Sequence, residues 1–260
     1  MDTANLDMEI ATTSLASDLR DCAMLLDIDG TIVDIAPTPR EVWVSPGLLK
    51  TLSRLQELTA GALALVSGRK LSDIDLLFAP LRLAAIGGHG AELRPTPTAQ
   101  PETKATSLSD DLKRNLAALT KLGPGVLAED KGYSLALHYR LAPDLGPVLH
   151  SAVAEICAES AAGSVEILPG KAVVEVKPAR VSKATAVNEL MTYPPFAGRH
   201  PIFIGDDVTD EPVFGVIPKF GGLGFSVGRV VPGVDGHFAK PEDVRAWLAR
   251  IVAERGDAAA

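Results

Sequence analysis

The sequence predicts an α/β fold: a core with a parallel sheet and helices on both faces, and an inserted, smaller α+β domain with an antiparallel sheet. Three observations predict it. Short apolar runs end in polar loops at three places, two proline-containing segments interrupt that arrangement, and the stretch between these segments is patterned as hairpins. The 260 residues can bury a sizeable core and lie near the size at which a chain divides into two domains.

The first apolar run ends in two aspartates that are one residue apart. Residues 25–31 read Leu-Leu-Asp-Ile-Asp-Gly-Thr. Ligands of an open α/β sheet bind beyond the carboxyl ends of its strands, which is where this run places Asp27 and Asp29. Two crowded carboxylates repel each other unless a cation joins them, and Mg²⁺ binds through one or two carboxylates. The alternative is a helix N-cap or an Asx turn, in which either aspartate only accepts backbone N–H groups.

Two later apolar runs have the same form. The run over residues 62–66 is followed by a loop that starts at Ser67, and the run over residues 201–204 is followed by a loop that contains Asp206. Each loop offers polar groups at the end of a predicted strand. The three loops are therefore expected to converge on one site.

Lys183 opens a predicted helix over residues 183–191. A cation at a helix N-terminus is unfavourable unless an anion accompanies it. With Ser67 as a hydrogen-bond donor to phosphate, Lys183 as the counter-charge of phosphate and Asp206 as a metal ligand, the four segments indicate phosphoryl chemistry.

These four segments resemble, in order, the signature motifs of the haloacid dehalogenase superfamily of phosphohydrolases. The resemblance implies a Rossmann-like core. One departure is that Ala184 follows the lysine, where close relatives usually have glycine; the charge is retained.

The resemblance implies a two-step mechanism. Asp27 would attack phosphorus and form an aspartyl-phosphate, and Asp29 would protonate the departing oxygen and then take a proton from the hydrolysing water. The catalytic groups that the resemblance implies are Asp27, Asp29 and Lys183. It implies that Mg²⁺ is bound by Asp27, Asp206 and the main-chain carbonyl of Asp29, and that phosphate is bound by Thr31, Ser67, Gly68 and Lys183. Asp207 and Asp210 are expected to orient the waters around the metal.

The inserted domain is delimited by two segments that cannot continue a helix or a central strand. Residues 94–101 are rich in proline, and residues 177–180 form a shorter counterpart. Both are interpreted as linkers. The predicted domains are a first core part over residues 1–97, a cap over 98–177 and a second core part over 178–260.

Two hairpins and two helices are expected in the cap. Residues 126–130 and 133–139 flank Lys131-Gly132, and residues 165–168 and 172–176 flank a turn that contains Gly170. Helices are predicted near residues 106–122 and 143–160. This order indicates an antiparallel sheet backed by helices.

Three segments narrow the resemblance to the trehalose-6-phosphate phosphatase family. They are residues 86–92, 129–140 and 170–176, and the likeness runs from about Leu25 to Trp247. It implies hydrolysis of trehalose 6-phosphate to trehalose and phosphate with Mg²⁺. Related phosphatases of sucrose 6-phosphate or mannosyl-3-phosphoglycerate share the core motifs, so another sugar phosphate is an alternative. A catalytically silent regulator is a further alternative, although the intact motifs argue against it.

Sugar recognition is assigned to polar residues outside these motifs and mainly in the cap. Lys171 and Glu175 are four residues apart on a strand and thus on one face; the alternative is a solvated ion pair worth roughly 0–1 kcal/mol. Charged residues in turns are commonly exposed to solvent, and a histidine on a strand has a structural role as readily as a role in substrate binding. The candidate substrate-binding residues are Arg69, His89, Glu129, Lys131, His138, Lys171 and Glu175.

Composition excludes several classes of partner. The formal net charge of −8 disfavours nucleic acid and anionic membranes. No apolar run approaches the roughly 18 residues that span a bilayer, and the N-terminal residues do not read as a secretory signal. Cys22 and Cys157 are expected to be buried thiols. The expectation is a cytoplasmic monomer whose partner is a small sugar phosphate.

Overall fold

The computed structural model describes residues 18–35, 41–104, 106–161, 163–170 and 172–256. The chain divides into two units, a core of Met1–Thr103 with Lys183–Ala260 and an inserted unit of Lys104–Ser182. Both divisions fall a few residues C-terminal to the boundaries predicted from the sequence.

The described chain contains both strands and α-helices. The strands are β1 (Cys22–Leu26), β2 (Leu63–Val66), β3 (Ala84–Gly87), β4 (Glu92–Arg94), β5 (Glu102–Thr103), β6 (Leu127–Asp130), β7 (Leu135–His138), β8 (Val165–Gly170), β9 (Val173–Pro178), β10 (His200–Gly205), β11 (Leu223–Val227) and β12 (Gly236–Phe238). The α-helices are α1 (Pro46–Leu58), α2 (Leu71–Leu77), α3 (Asp110–Ala117), α4 (Gly146–Ala161), α5 (Lys183–Leu190), α6 (Glu211–Phe214) and α7 (Pro241–Gly256).

The core sheet has eight strands in the order β12-β11-β10-β1-β2-β3-β4-β5. The six strands from β12 to β3 are parallel, and β4 and β5 add antiparallel at one edge. Every residue of β1 is buried, as expected for a parallel sheet that is covered on both faces. Alternate residues of β1 enter two different apolar clusters, one with Leu52 and Trp247 and the other with Val187 and Phe203. The α/β fold class is confirmed.

Three neighbouring parallel strands carry the predicted site. Leu26 of β1 is in register with Ile204 of β10 and with Leu65 of β2. All three strands therefore reach the same edge of the sheet, where the loops after them begin. This register brings together segments that are far apart in the sequence.

The proline-rich stretch over residues 94–101 connects two strands of the core. It lies between β4 and β5, which pair antiparallel, rather than between the two units. The short strand β5 carries no sequence pattern that distinguishes it from a linker.

The inserted unit contains a four-stranded antiparallel sheet in the order β6-β7-β9-β8. Both predicted hairpins form, and β7 pairs with β9 to join them. The two predicted helices are shorter: 3₁₀ turns at Ala118–Leu122 and Pro143–Leu145 replace a turn of each. An apolar cluster with Leu116, Leu137 and Val153 lies between sheet and helices.

Among the described residues, no helix has both the length and the apolar composition needed to cross a membrane. Cys22 and Cys157 are buried free thiols, and burial raises the pKa of both.

Candidate active site

Asp27 follows β1 and is almost completely buried. Its main-chain N–H donates to the carbonyl of Ile204, 2.9 Å away, which ties the first loop to β10. Lys183 Nζ donates to Oδ1 at 2.7 Å, and Thr31 Oγ1 donates to Oδ2 at 2.9 Å. Each carboxylate oxygen therefore has its own donor, and the side chain is held in one orientation. Thr31, expected to bind phosphate, here contacts the carboxylate.

Lys183 is buried at the first residue of α5 between two carboxylates. Besides Asp27, it donates to Oδ1 of Asp210 at 2.7 Å. Burial lowers the pKa of an amine, but here the two carboxylates outweigh it and the pKa of Lys183 is raised. The two carboxylates thus favour the charged ammonium, and they are the anions that a cation at a helix N-terminus requires.

Asp210 links Lys183 to the loop after β10. Its carboxylate is fully buried, and Oδ2 accepts hydrogen bonds from the main-chain N–H groups of Asp206 at 3.1 Å and Asp207 at 3.0 Å. Asp207 in turn caps the 3₁₀ turn Val208–Asp210 through a bond of 2.8 Å to the N–H of Val208. Asp210 therefore orders the loop that carries Asp206.

An acidic group at this edge of the sheet can bind a metal ion. Carboxylate oxygens of Asp27, Asp206 and Asp210 lie within 4.8 Å of one another. Burial raises the pKa of Asp27, and the neighbouring Asp210 and Asp206 add to the effect while Lys183 opposes it. Three carboxylates against one ammonium leave an excess of negative charge. All-oxygen donors with such an excess fit a hard divalent cation.

Asp210 and Asp27 differ in how fully they are engaged. Asp210 accepts three hydrogen bonds from the protein, one at Oδ1 and two at Oδ2, whereas Asp27 accepts two, one at each oxygen, so Asp27 has more capacity left for a metal ion. The side chain of Asp29 is not part of the group.

Gly30 permits the close approach of the first loop to Asp206. Its φ of +84° is a left-handed conformation that favours glycine. A Cβ at this position would lie 2.2 Å from Oδ2 of Asp206. Any larger residue would displace the Asp206 carboxylate.

Arg69 holds the side chain of Asp29. Its Nε donates to Oδ2 and its terminal nitrogen to Oδ1, both at 2.6 Å. Such a two-point contact fixes the plane of the carboxylate as well as its position. Arg69, predicted to bind substrate, is thus engaged with the predicted acid/base residue.

Ser67, Gly68 and His89 lie together beside this pair. Ser67 is buried, and its Oγ accepts from the N–H of Arg69 at 3.1 Å, so the hydroxyl keeps its own proton for a further acceptor. A Cβ on Gly68 would lie 2.3 Å from Nε2 of His89. The absent side chain of Gly68 thus makes room for the imidazole.

In the inserted unit, Glu175 is the centre of a second polar cluster. It is buried; Lys131 Nζ donates to its Oε2 at 2.7 Å and Ser134 Oγ donates to its Oε1 at 2.7 Å. Glu129 and His138 form a separate, more exposed pair at 2.9 Å. The fifth cap residue of the prediction, Lys171, lies outside the described residues.

The sequence analysis missed Ser134 and the direct bond from Lys183 to Asp210. Ser134 pairs with a residue 41 positions away, and no local pattern marks it. The signal for Asp210 was present, because a cation at the start of α5 favours neighbouring anions and Asp210 lies in the acidic loop already assigned to the site.

Comparison with known proteins agrees with this geometry. The family model described as trehalose-phosphatase matches residues 25–241. A probable trehalose-phosphate phosphatase of Sinorhizobium fredii is 42% identical over 92% of this chain and 91% of the relative. The trehalose-6-phosphate phosphatase of Escherichia coli is 36% identical over 88% and 86%.

Solved structures show the same fold. A protein described as related to trehalose-6-phosphate phosphatase has a TM-score of 0.72 at 26% identity, covering 90% of this chain and 99% of its own. The C-terminal domain of the Candida albicans trehalose-6-phosphate phosphatase has a TM-score of 0.79 at 22% identity, with coverages of 90% and 92%. The resemblance inferred from the motifs is confirmed, and the chain belongs to the trehalose-phosphatase family, with the core and cap of haloacid dehalogenase phosphatases.

Proposed function

We propose that this protein hydrolyses trehalose 6-phosphate to trehalose and phosphate, with Mg²⁺, through an aspartyl-phosphate on Asp27. The observation that carries the proposal is the buried Asp27 carboxylate, held by Lys183 and Thr31 beside an acidic group that fits a divalent cation. Membership of the trehalose-phosphatase family supports the substrate.

In the first step, a carboxylate oxygen of Asp27 forms a bond to phosphorus while the bond from phosphorus to the sugar oxygen breaks. The two hydrogen bonds to Asp27 fix its orientation for this attack, which lowers the entropic part of the barrier. Asp29 gives a proton to the departing sugar oxygen.

In the second step, water attacks phosphorus, Asp29 takes the proton of that water, and the bond from phosphorus to Asp27 breaks. A protonated carboxyl accepts fewer hydrogen bonds than a carboxylate. Each proton transfer at Asp29 therefore requires a looser contact with Arg69.

Mg²⁺ would be held by Asp27, Asp206 and the main-chain carbonyl of Asp29, and when bound it supplies positive charge to the phosphoryl oxygens. Ser67, Gly68 and Lys183 are proposed to contact the phosphate, and Asp207 and Asp210 to order the metal loop. Thr31 and Lys183 already donate hydrogen bonds to Asp27. Each would therefore share its hydrogen bonds between Asp27 and the phosphate.

The sugar is proposed to be bound by polar side chains that donate hydrogen bonds to its hydroxyl groups or accept them. Glu175 can accept from a sugar hydroxyl while keeping its present donors, since a carboxylate has about four acceptor positions. Arg69, Lys131 and Lys171 are proposed to donate to sugar hydroxyl groups, Glu129 to accept from them, and His89 and His138 to do either. A monomeric state and a cytoplasmic location also stay predictions.

The test is phosphate release from trehalose 6-phosphate, sucrose 6-phosphate and glucose 6-phosphate, with and without Mg²⁺, using Asp27→Asn as the blank. We expect Mg²⁺-dependent preference for trehalose 6-phosphate and a loss of about 10⁴-fold or more in the variant. Preference for another sugar would retain the mechanism and replace the substrate. Absence of activity on all three would contradict the proposal and favour a regulatory role.

A further inference from the structure

Glu92 reaches from the core sheet to the loop that carries Arg69. It is the first residue of β4, and its Oε2 accepts a hydrogen bond of 2.7 Å from the main-chain N–H of Leu71, 21 residues earlier. Lys70 stands at the N-cap position of α2, where its side chain offers no acceptor. The cap of this helix is therefore supplied by a distant carboxylate rather than by the preceding residue.

Gly87 leaves the space in which this contact forms. A Cβ on Gly87 would lie 2.9 Å from Oε2 of Glu92, 2.9 Å from the nitrogen of Leu71 and 3.0 Å from the carbonyl oxygen of Arg69. The space that a side chain on Gly87 would fill is thus taken up by the Glu92 carboxylate and by the main chain of Arg69 and Leu71. A larger residue at position 87 would displace this hydrogen bond.

The main chain around Arg69 is held on both sides. The N–H of Gly88 donates to the carbonyl of Arg69 at 2.7 Å, and the N–H of His89 donates to the carbonyl of Ser67 at 3.0 Å. The hydrogen bond from Leu71 to Glu92 fixes the main chain again, two residues after Arg69. The Arg69 side chain therefore leaves a segment whose main chain has little freedom.

We propose that Glu92 is a positioning residue of this active site. It fixes the main chain at Leu71 and thereby aims the guanidinium of Arg69 at Asp29. A two-point contact with both distances at 2.6 Å tolerates little displacement of the main chain that carries the arginine. The kinetic part of this inference rests on the proposed function, whereas the effect on Arg69 does not.

The variants are Glu92→Ala, which removes the acceptor, and Glu92→Gln, which keeps one. The control is Ser45→Ala, which removes a helix cap of the same unit, the 3.1 Å bond from the N–H of Leu48 to Ser45 Oγ. We expect Glu92→Ala to lower kcat roughly 10- to 100-fold and Glu92→Gln to lie within about threefold of the wild type. Ser45→Ala lowers stability by a similar amount and leaves kcat unchanged.

A double-mutant cycle separates positioning from a general loss of folded protein. If Glu92 acts through Arg69, Glu92→Ala has no further effect on kcat in an Arg69→Ala background. The same fold-loss in both backgrounds would overturn the proposal.

A readout that needs no activity is the Nε–Hε signal of Arg69 in a nitrogen-15 NMR spectrum, assigned by its absence in Arg69→Ala. We expect the signal to shift or broaden in Glu92→Ala and to persist in Glu92→Gln and Ser45→Ala. An unchanged signal in Glu92→Ala would contradict the proposal. If the wild type lacks phosphatase activity, the proposed function fails, but this spectrum still decides the role of Glu92.

Discussion

The two units each contain a buried carboxylate with the same pair of partners. Asp27 in the core accepts from Lys183 and from the hydroxyl of Thr31, and Glu175 in the inserted unit accepts from Lys131 and from the hydroxyl of Ser134. Distances are alike, between 2.7 and 2.9 Å.

The difference lies in the charges around each carboxylate. In the part of the chain that the structure describes, a group of three carboxylates close enough together to hold a metal ion occurs at Asp27 and not at Glu175. A lysine and a hydroxyl alone do not make a metal site. The excess of negative charge around Asp27 fits a divalent cation, which is why phosphoryl transfer is proposed at Asp27 and sugar binding at Glu175.

The largest expected effect compares the two lysines. Lys183→Met leaves two buried carboxylates without their cation and is expected to cost about 3–5 kcal/mol of unfolding free energy. Lys131→Met leaves only Glu175, which keeps its bond to Ser134, and should cost roughly 1–3 kcal/mol. Urea titrations without Mg²⁺ measure both. Equal losses would show that the extra carboxylates around Lys183 do not matter.

The next effect concerns the metal. At 100 times its Kd, Mg²⁺ should stabilise the wild type by about 2.7 kcal/mol, because it binds the folded acidic group. Asp206→Asn is expected to lose most of this gain, whereas Glu175→Gln keeps it. Thermal unfolding with and without Mg²⁺ gives the comparison. A gain retained in Asp206→Asn would remove Asp206 from the ligands.

A smaller effect is expected for the sugar contacts. Glu175→Gln should raise KM for trehalose 6-phosphate about 10-fold, since a hydrogen bond to a charged acceptor becomes neutral. Hydrolysis of p-nitrophenyl phosphate, which has no sugar, serves as the control and should be unchanged. Parallel losses on both substrates would indicate that the cluster at Glu175 is only structural.

The sequence predicted which segments lie close together better than it predicted which side chains pair. Asp27 and Lys183 are 156 residues apart, yet their approach was predictable, because strand ends and a helix start meet at one edge of a parallel sheet. The two-point contact between Arg69 and Asp29 was not predictable, because the ends of strands determine where the main chains lie but not which side chains pair.

Short or distant contacts escaped sequence reasoning for similar reasons. The pairing of β5 with β4 involves Glu102 and Thr103, too few residues for a periodic pattern. The cap of Leu71 by Glu92 joins residues that no local motif relates. Such contacts depend on the packed fold as a whole.

The bridging ammonium of Lys183 has a consequence for metal exchange. It touches Asp27 and Asp210 at once, and Asp210 holds the main chain of the Asp206 loop. Without a metal ion, this built-in cation already keeps two of the three carboxylates and the loop in place. The proposed binding of Mg²⁺ therefore needs no local folding step, because the acidic group is assembled before the ion arrives.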